Sequence, residues 1–166
     1  MKVKTSELTG MALDWAVAKA LGILRSDIIQ MYAGGMYAEG LLPVGYCPVS
    51  ESVFDIPLHQ MKYSTDWSQF GQTIEREKIS IIRCDDDYEK DAQGFTTSKR
   101  IPVWAAVIGD CHSISVTYGS EGDHCGDYYE VDCDAIVGST PLIAACRCFV
   151  TKKLGTYIEI SDELLK

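Results

Sequence analysis

The chain has 166 residues, of which 46% are apolar and 23% charged, with a formal net charge of −9 at neutral pH. That length suits one domain, and the apolar share suffices for a core, which argues against global disorder. No apolar run nears the roughly 20 residues that span a bilayer, and a field of this sign opposes general binding to duplex nucleic acid, whose affinity comes from Lys and Arg on phosphates.

The N-terminal stretch MKVKTSELTG carries lysines but no apolar segment of the secretory kind, so an intracellular, cytoplasmic protein is expected. Thr5 or Ser6 is placed to cap a first helix, with Glu7 in its first turn. Leu8, Ala12, Trp15 and Lys19 share one stripe, Leu13, Ala16, Val17 and Ala20 widen the apolar face, and Gly22 is placed to end the helix.

Residues 23–62 hold Gly34, Gly35, Gly40, Pro43, Gly45, Pro48 and Pro57, a density that predicts turns and an irregular insertion. A segment of that kind is uncommon inside one domain and tends to be functional; decoration of an edge, such as a homo-oligomer contact, is the plainer use. Lys78 to Cys84 has β-branched residues at strand spacing. Residues 85–99 are acidic and then polar, as a second irregular loop or hairpin would be. Arg100 to Ile108 reads as a strand with Pro102 near its start, Ser113 to Tyr118 alternates as another, and Tyr128 to Val137 as a further one.

The second helix carries the fullest set of signals. Thr140 fits the N-cap and Pro141 the first helical position. Leu142, Cys146, Phe149 and Val150 share a face, Lys152 and Lys153 suit the negative C-terminal end, and Gly155 stops it. TYIEI is a short strand and SDELLK a last turn. Helix, insertion, hairpin-linked strands, helix and short strand together predict an α+β fold, a mainly antiparallel β-sheet packed with two principal helices, in a single domain over 1–166.

Seven cysteines, an odd number with no secretory signal, argue for reduced thiols. Cys111-His112, His124-Cys125 and Cys133 lack the spacing of a zinc site, and Asp85-Asp86-Asp87 with Glu89 and Asp91 lacks the register of a calcium loop, so no metal is expected. The chain contains neither a phosphate-cradling GxxxxGK[ST] nor a GxGxxG, and adjacent Cys-His pairs do not make a catalytic dyad, so no catalytic residue and no cofactor is assigned.

One stretch concentrates polar chemistry at the entrance to a strand: YSTDWSQFGQTIEREKI, residues 63–79. Tyr63 and Trp67 offer faces for stacking, Ser64, Thr65, Asp66 and Gln69 offer directional polar contacts, and Arg76 offers a fork for a phosphate. The same residues also fit a hydroxyl-rich turn with Trp67 plugging the core and Arg76 in a surface ion pair. Ser139 and Thr140 at the second helix's start would supply the anion-binding end of a dipole, or simply a cap.

Three blocks, MKVKTSELTGMALDWAVAKALG, YSTDWSQFGQTIEREKI and GSTPLIAACRCFVTKKLG, resemble the NinX-type proteins of tailed phages, a family of unknown function. STPLIAACRC is also similar to phage domains built as a sheet between helices. Phe70-Gly71-Gln72 departs from the Gly-Gly-Pro-like turn expected of the family, and residues 23–62 and 85–135 are longer than its pattern. The resemblance implies a phage protein acting inside the infected bacterium and implies no reaction. With the residues above it points to a non-catalytic accessory protein that captures a small anionic, nucleotide-like ligand, such as a host immune signal, without touching membranes. The alternative is a protein that blocks a host protein through its acidic surface and the 23–62 insertion; a nucleotide phosphodiesterase stands third.

Overall fold

The computed structural model describes residues 1–32, 35–41, 53–84, 87–90, 96–109, 115–118, 127–130 and 135–165. Strand β1 (Lys2–Lys4) leads through a 3-10 turn at Thr5–Glu7 into helix α1 (Gly10–Ala20). Strands β2 (Leu24–Tyr32), β3 (Gly35–Leu41) and β4 (Val53–Pro57) follow, then a 3-10 turn at Leu58–Gln60 and helix α2 (Trp67–Arg76). Next come β5 (Ile79–Arg83), β6 (Asp87–Lys90), β7 (Thr96–Ile101), β8 (Trp104–Ile108), β9 (Ser115–Tyr118), β10 (Asp127–Glu130) and β11 (Ile136–Gly138). Helix α3 (Pro141–Leu154), β12 (Tyr157–Glu159) and a 3-10 turn at Asp162–Leu165 complete the order.

The fold is α+β with antiparallel pairing throughout the described strands. Its centre is the sheet β11-β8-β5. Successive residues of a strand face opposite ways, so Ile79, Ile81, Trp104, Ala106, Ile108 and Ile136 share the core face while Ser80, Ile82, Ala105, Val107 and Val137 share the other. Helix α3 lies along all three of these strands and α1 packs on α3. Both helices are apolar nearly all round: Ala12 to Ala18 of α1 are all buried, as are Leu142, Ala144, Ala145, Cys146, Cys148, Phe149 and Val150 of α3. Such helices belong inside a fold rather than on its surface. β1 pairs with β12 and so ties the two ends of the chain together.

Helix α3 starts and stops where its sequence predicts. Thr140 Oγ1 accepts the Ile143 amide at 3.2 Å, Pro141 occupies the first turn, and Gly155 turns the chain at φ +91°. Helix α1 ends as expected at Gly22 (φ +72°), with the Ile23 amide donating to Ala18 O at 3.0 Å. Its start is later than Thr5 or Ser6, with Thr9 at the N-cap. The Thr5 hydroxyl serves instead in a distant contact with Thr151 and Thr156.

A third helix stands where a turn was expected. Asp66 Oδ1 accepts from the Ser68 amide (2.9 Å) and hydroxyl (2.7 Å), while Gln69 reaches back to the Lys62 amide (2.9 Å) and the Gln60 carbonyl (3.1 Å). This is capping-box logic extended over one more turn. Phe70, Thr73, Ile74 and Glu77 then follow at helical spacing, and the first two are buried. Lys78, at φ +54°, ends the helix and turns the chain into β5.

The expected irregular insertion is largely ordered sheet. β2, β3 and β4 form a three-stranded meander rooted in the core by Ala38, with Leu24 and Met36 beside it. Gly35 opens β3, Pro57 closes β4, and Gly40 lies within β3. Residues 33–34 and 42–52 lie outside the described set. From residue 87 to 101, β6 pairs with β7 in a register close to that of β5 with β8. The expected strand over 100–108 is broken at Pro102, which has no amide to give a ladder, and Tyr128 to Val137 contains two strands.

Candidate functional site

The predicted site residues in 63–76 are largely engaged within the protein. Tyr63 is half-buried with its ring edge-on to Phe70 (centroids 6.5 Å apart), which is itself edge-on to Phe149 at 5.7 Å. Its carbonyl accepts from Cys146 Sγ at 3.4 Å. Ser64 is buried and its amide donates to Asp14 Oδ1 at 2.7 Å. Thr65 Oγ1 reaches Lys62 O at 3.5 Å, Asp66 caps α2, and Gln69 latches the preceding turn. Trp67 is the exception, with 53% of its surface exposed.

Arg76 and Trp67 occupy opposite ends of α2, nine positions apart, which at helical rise and twist is about 13 Å and half a turn. Arg76 Nε donates to Glu77 Oε1 at 3.2 Å, and Glu77 also takes Lys153 at 2.9 Å, a hydrogen bond that holds its carboxyl below the usual range. Helix α2 therefore does not bring a ring and a phosphate fork to one spot. Its N-terminus already carries the Asp66 carboxylate, held below its ordinary pKa by the Ser68 hydrogen bonds, and a negative charge there opposes a second anion. At α3, Ser139 and Thr140 are both exposed, Thr140 Oγ1 is committed to Ile143, and Pro141 has no amide to offer.

A polar cluster lies inside the core beneath this segment. Asp14 is buried on α1, and burial pushes its carboxyl above the ordinary range against the lowering effect of two hydrogen bonds from Ser64. Burial and then the Asp14 charge also raise the Tyr63 hydroxyl and the Cys146 thiol. A thiol held so firmly protonated is a poor nucleophile, so Cys146 fits a packing role.

A hollow of about 470 Å³ opens at the edge of the central sheet. Lys4, Thr5 and Ser6 line one side, Ala135, Ile136 and Val137 another, and Thr151 and Thr156 a third. Its walls are joined by long-range bonds. Thr5 Oγ1 lies 2.8 Å from Thr151 Oγ1 and donates to Thr156 O at 3.1 Å, and the Thr5 amide also donates to Thr156 O at 2.9 Å. Arg147 on α3 donates through Nε to Leu8 O (2.8 Å) and through Nη1 to Val137 O (2.9 Å), holding the β11 edge to the segment before α1. Burial lowers the Arg147 pKa, opposed by Glu7. The volume falls in the range of small-molecule sites, which combine apolar walls with a few fixed polar groups.

Asp14, Arg147 and the residues that line the hollow are not among those that the sequence singles out, Thr5 and Ser6 being expected only as helix caps. A signal existed for the first two, since each is a charge in the apolar middle of its helix, away from the lysines of the last turn, and such a charge needs a partner. None existed for the hollow, whose lining is ordinary in type and scattered over 4–156. The residues considered for zinc, Cys111, His112, His124, Cys125 and Cys133, lie outside the described set, and among the described residues no group of three or more His, Cys, Asp or Glu is placed to hold a metal. Cys84, Cys146 and Cys148 are thiols. No helix among the described residues is long and apolar enough to cross a membrane.

The family model of the bacteriophage P22 NinX proteins matches residues 4–101, more than half of the 166. The chain belongs to the NinX family. The match runs from Lys4 at the rim of the hollow through α1, the β2-β3-β4 meander and α2 to the end of β7. It takes in the first resembling block from Lys4 onward and all of the second, and it stops before the third, so the NinX match covers only the 4–6 side of the hollow. No curated protein matches the chain. NinX membership makes this a phage accessory protein and carries no reaction with it.

Proposed function

We propose that this NinX-family protein is a non-catalytic accessory factor that works by binding a small anionic, nucleotide-like molecule of the infected host, withdrawing it from use. The observation that carries this reading is the hollow at the sheet edge, where Lys4 and the hydroxyl-bearing Thr5, Ser6, Thr151 and Thr156 face the apolar strip Ala135–Val137. A single cation beside hydroxyls suits one anionic group, and the strip suits a compact ring. The surface of Tyr63, Ser64, Thr65, Asp66, Trp67, Gln69 and Arg76, with Ser139 and Thr140, is the rival location. Most of its polar groups already serve caps and buried bonds, which favours the hollow.

The test is a thermal-shift screen of the purified protein against nucleotides, with mass spectrometry of small molecules released on denaturation. A raised Tm and recovery of the intact nucleotide support capture. Recovery of a cleaved product favours a phosphodiesterase. Lys4→Ala abolishing the shift places binding in the hollow, whereas loss in Trp67→Ala or Arg76→Ala places it on the α2 surface.

A second reading has its own observation. The Trp67 ring, 53% exposed at the start of α2, is the kind of aromatic that anchors protein contacts. A host-protein blocker would show no shift with any nucleotide, and Trp67→Ala would release a co-purifying host protein.

A further inference from the structure

We infer that the hollow selects ligands bearing their own hydrogen-bond donor, a hydroxyl or amino group, beside the anionic group; this rests on the small-anion reading above. The inference follows from the direction of the hydrogen bonds in its wall. Thr5 Oγ1 has one hydrogen and two oxygen neighbours, Thr156 O at 3.1 Å and Thr151 Oγ1 at 2.8 Å. A carbonyl can only accept, so the Thr5 hydrogen goes to Thr156 O and Thr151 must donate the second bond. The reverse order would set lone pairs of Thr5 Oγ1 and Thr156 O against each other at 3.1 Å. Thr5 is fully buried, so water does not relieve that repulsion.

Both hydrogens are therefore committed inside the wall, and Thr151 Oγ1 keeps only lone pairs. Lys4, by contrast, can only donate. The lining of the hollow thus combines a cationic donor, a fixed acceptor and the Ala135–Val137 strip. Its complement is a small anion on a compact apolar frame that carries a donor of its own. A nucleoside monophosphate with its sugar hydroxyls and ring amine has this chemistry, as does an amino-substituted aromatic acid. An unsubstituted aromatic acid has the charge without the donor, and it leaves the Thr151 acceptor unpaired once water is displaced.

The experiment is titration calorimetry on the full chain with two matched pairs: 4-hydroxybenzoate against benzoate, and 4-aminobenzoate against benzoate. The donor-bearing member of each pair is expected to bind at least tenfold tighter. Thr151→Val erases that preference, Thr151→Ser keeps it, and Lys4→Ala weakens both members alike. Equal binding within the pairs, or a preference that survives Thr151→Val, overturns the inference while leaving small-anion capture standing. Nucleotide binding indifferent to both Lys4→Ala and Thr151→Val moves the site elsewhere and also overturns it. No binding of any probe or nucleotide overturns both the inference and the capture reading. Thr151→Ser, which retains the bond to Thr5, separates loss of the acceptor from loss of fold.

Discussion

The Asp14 carboxylate, in the middle of a largely apolar helix, accepts the backbone amide of Ser64 at 2.7 Å, with both residues buried. That bond ties α1 to the turn preceding α2 and gives a lone core charge its reason. Burial raises the Asp14 pKa above 3.8, so the folded protein binds this proton more readily than the unfolded chain. Its contribution to stability is complete below about 3.8 and is lost as pH rises through the raised folded value. Asp66 and Glu77, with lowered values, act in the opposite sense, losing their contribution as pH falls. In paired chemical denaturations of wild type and Asp14→Asn, the stability of wild type relative to the variant should rise as pH falls from 7 toward 4. A flat difference would show that Asp14 is not the buried titrating group described here.

Among the described glycines, Gly138 is the one where an added Cβ would meet other atoms within 4 Å. A Cβ there would lie 2.5 Å from the Ala144 amide nitrogen and 2.9 Å from its Cα, both main-chain atoms of α3. Neither can swing aside as a side-chain tip would. Gly138→Ala should therefore cost about 2–3 kcal/mol or more, at the upper end of overpacking penalties, read as a lower denaturation midpoint with unchanged m. Gly71→Ala, where a Cβ meets nothing within 4 Å on α2, is the control and should be neutral or slightly stabilising.

Arg147 spans two carbonyls that belong to different elements, Leu8 O and Val137 O. Lysine has the charge but not the fork. Arg147→Lys should lose one of the two bonds and about 1–3 kcal/mol of stability, and hydrogen exchange should rise at β11 and at residues 8–10 before other parts of the core.

Two of the chain's three tryptophans sit in contrasting surroundings, while Trp104 is half-buried. Trp15 is 1% exposed with its Nε1 lacking a hydrogen-bond partner, and Trp67 is 53% exposed. Trp67→Ala should remove the readily quenched, red-shifted part of the fluorescence and change stability by no more than about 0.5 kcal/mol. Trp15→Ala should cost about 3–5 kcal/mol, and Trp15→Phe distinctly less because it also removes the unpaired donor. Quenching unaffected by Trp67→Ala would contradict the exposure described.

Helix α3 was readable from the chain because its signals act over a few residues: Thr140 bonds to Ile143, Pro141 sets its own φ, and Gly155 adopts its own positive φ. The antiparallel sheet was readable for the same reason, since strand alternation and turn residues are local. Helix α2 was legible in principle through Asp66 and Gln69, but their hydroxyl-rich neighbours and Gly71 fit a turn as well, and burial of Phe70 and Thr73 decided for helix. What only the tertiary structure decided are the meetings of distant residues: Asp14 with Ser64, Thr5 with Thr151 and Thr156, Arg147 with Leu8, and Gly138 against Ala144. Periodicity and capping report which face of an element is buried. They carry no information about which partner it meets, because that choice is made by packing among segments far apart in the chain.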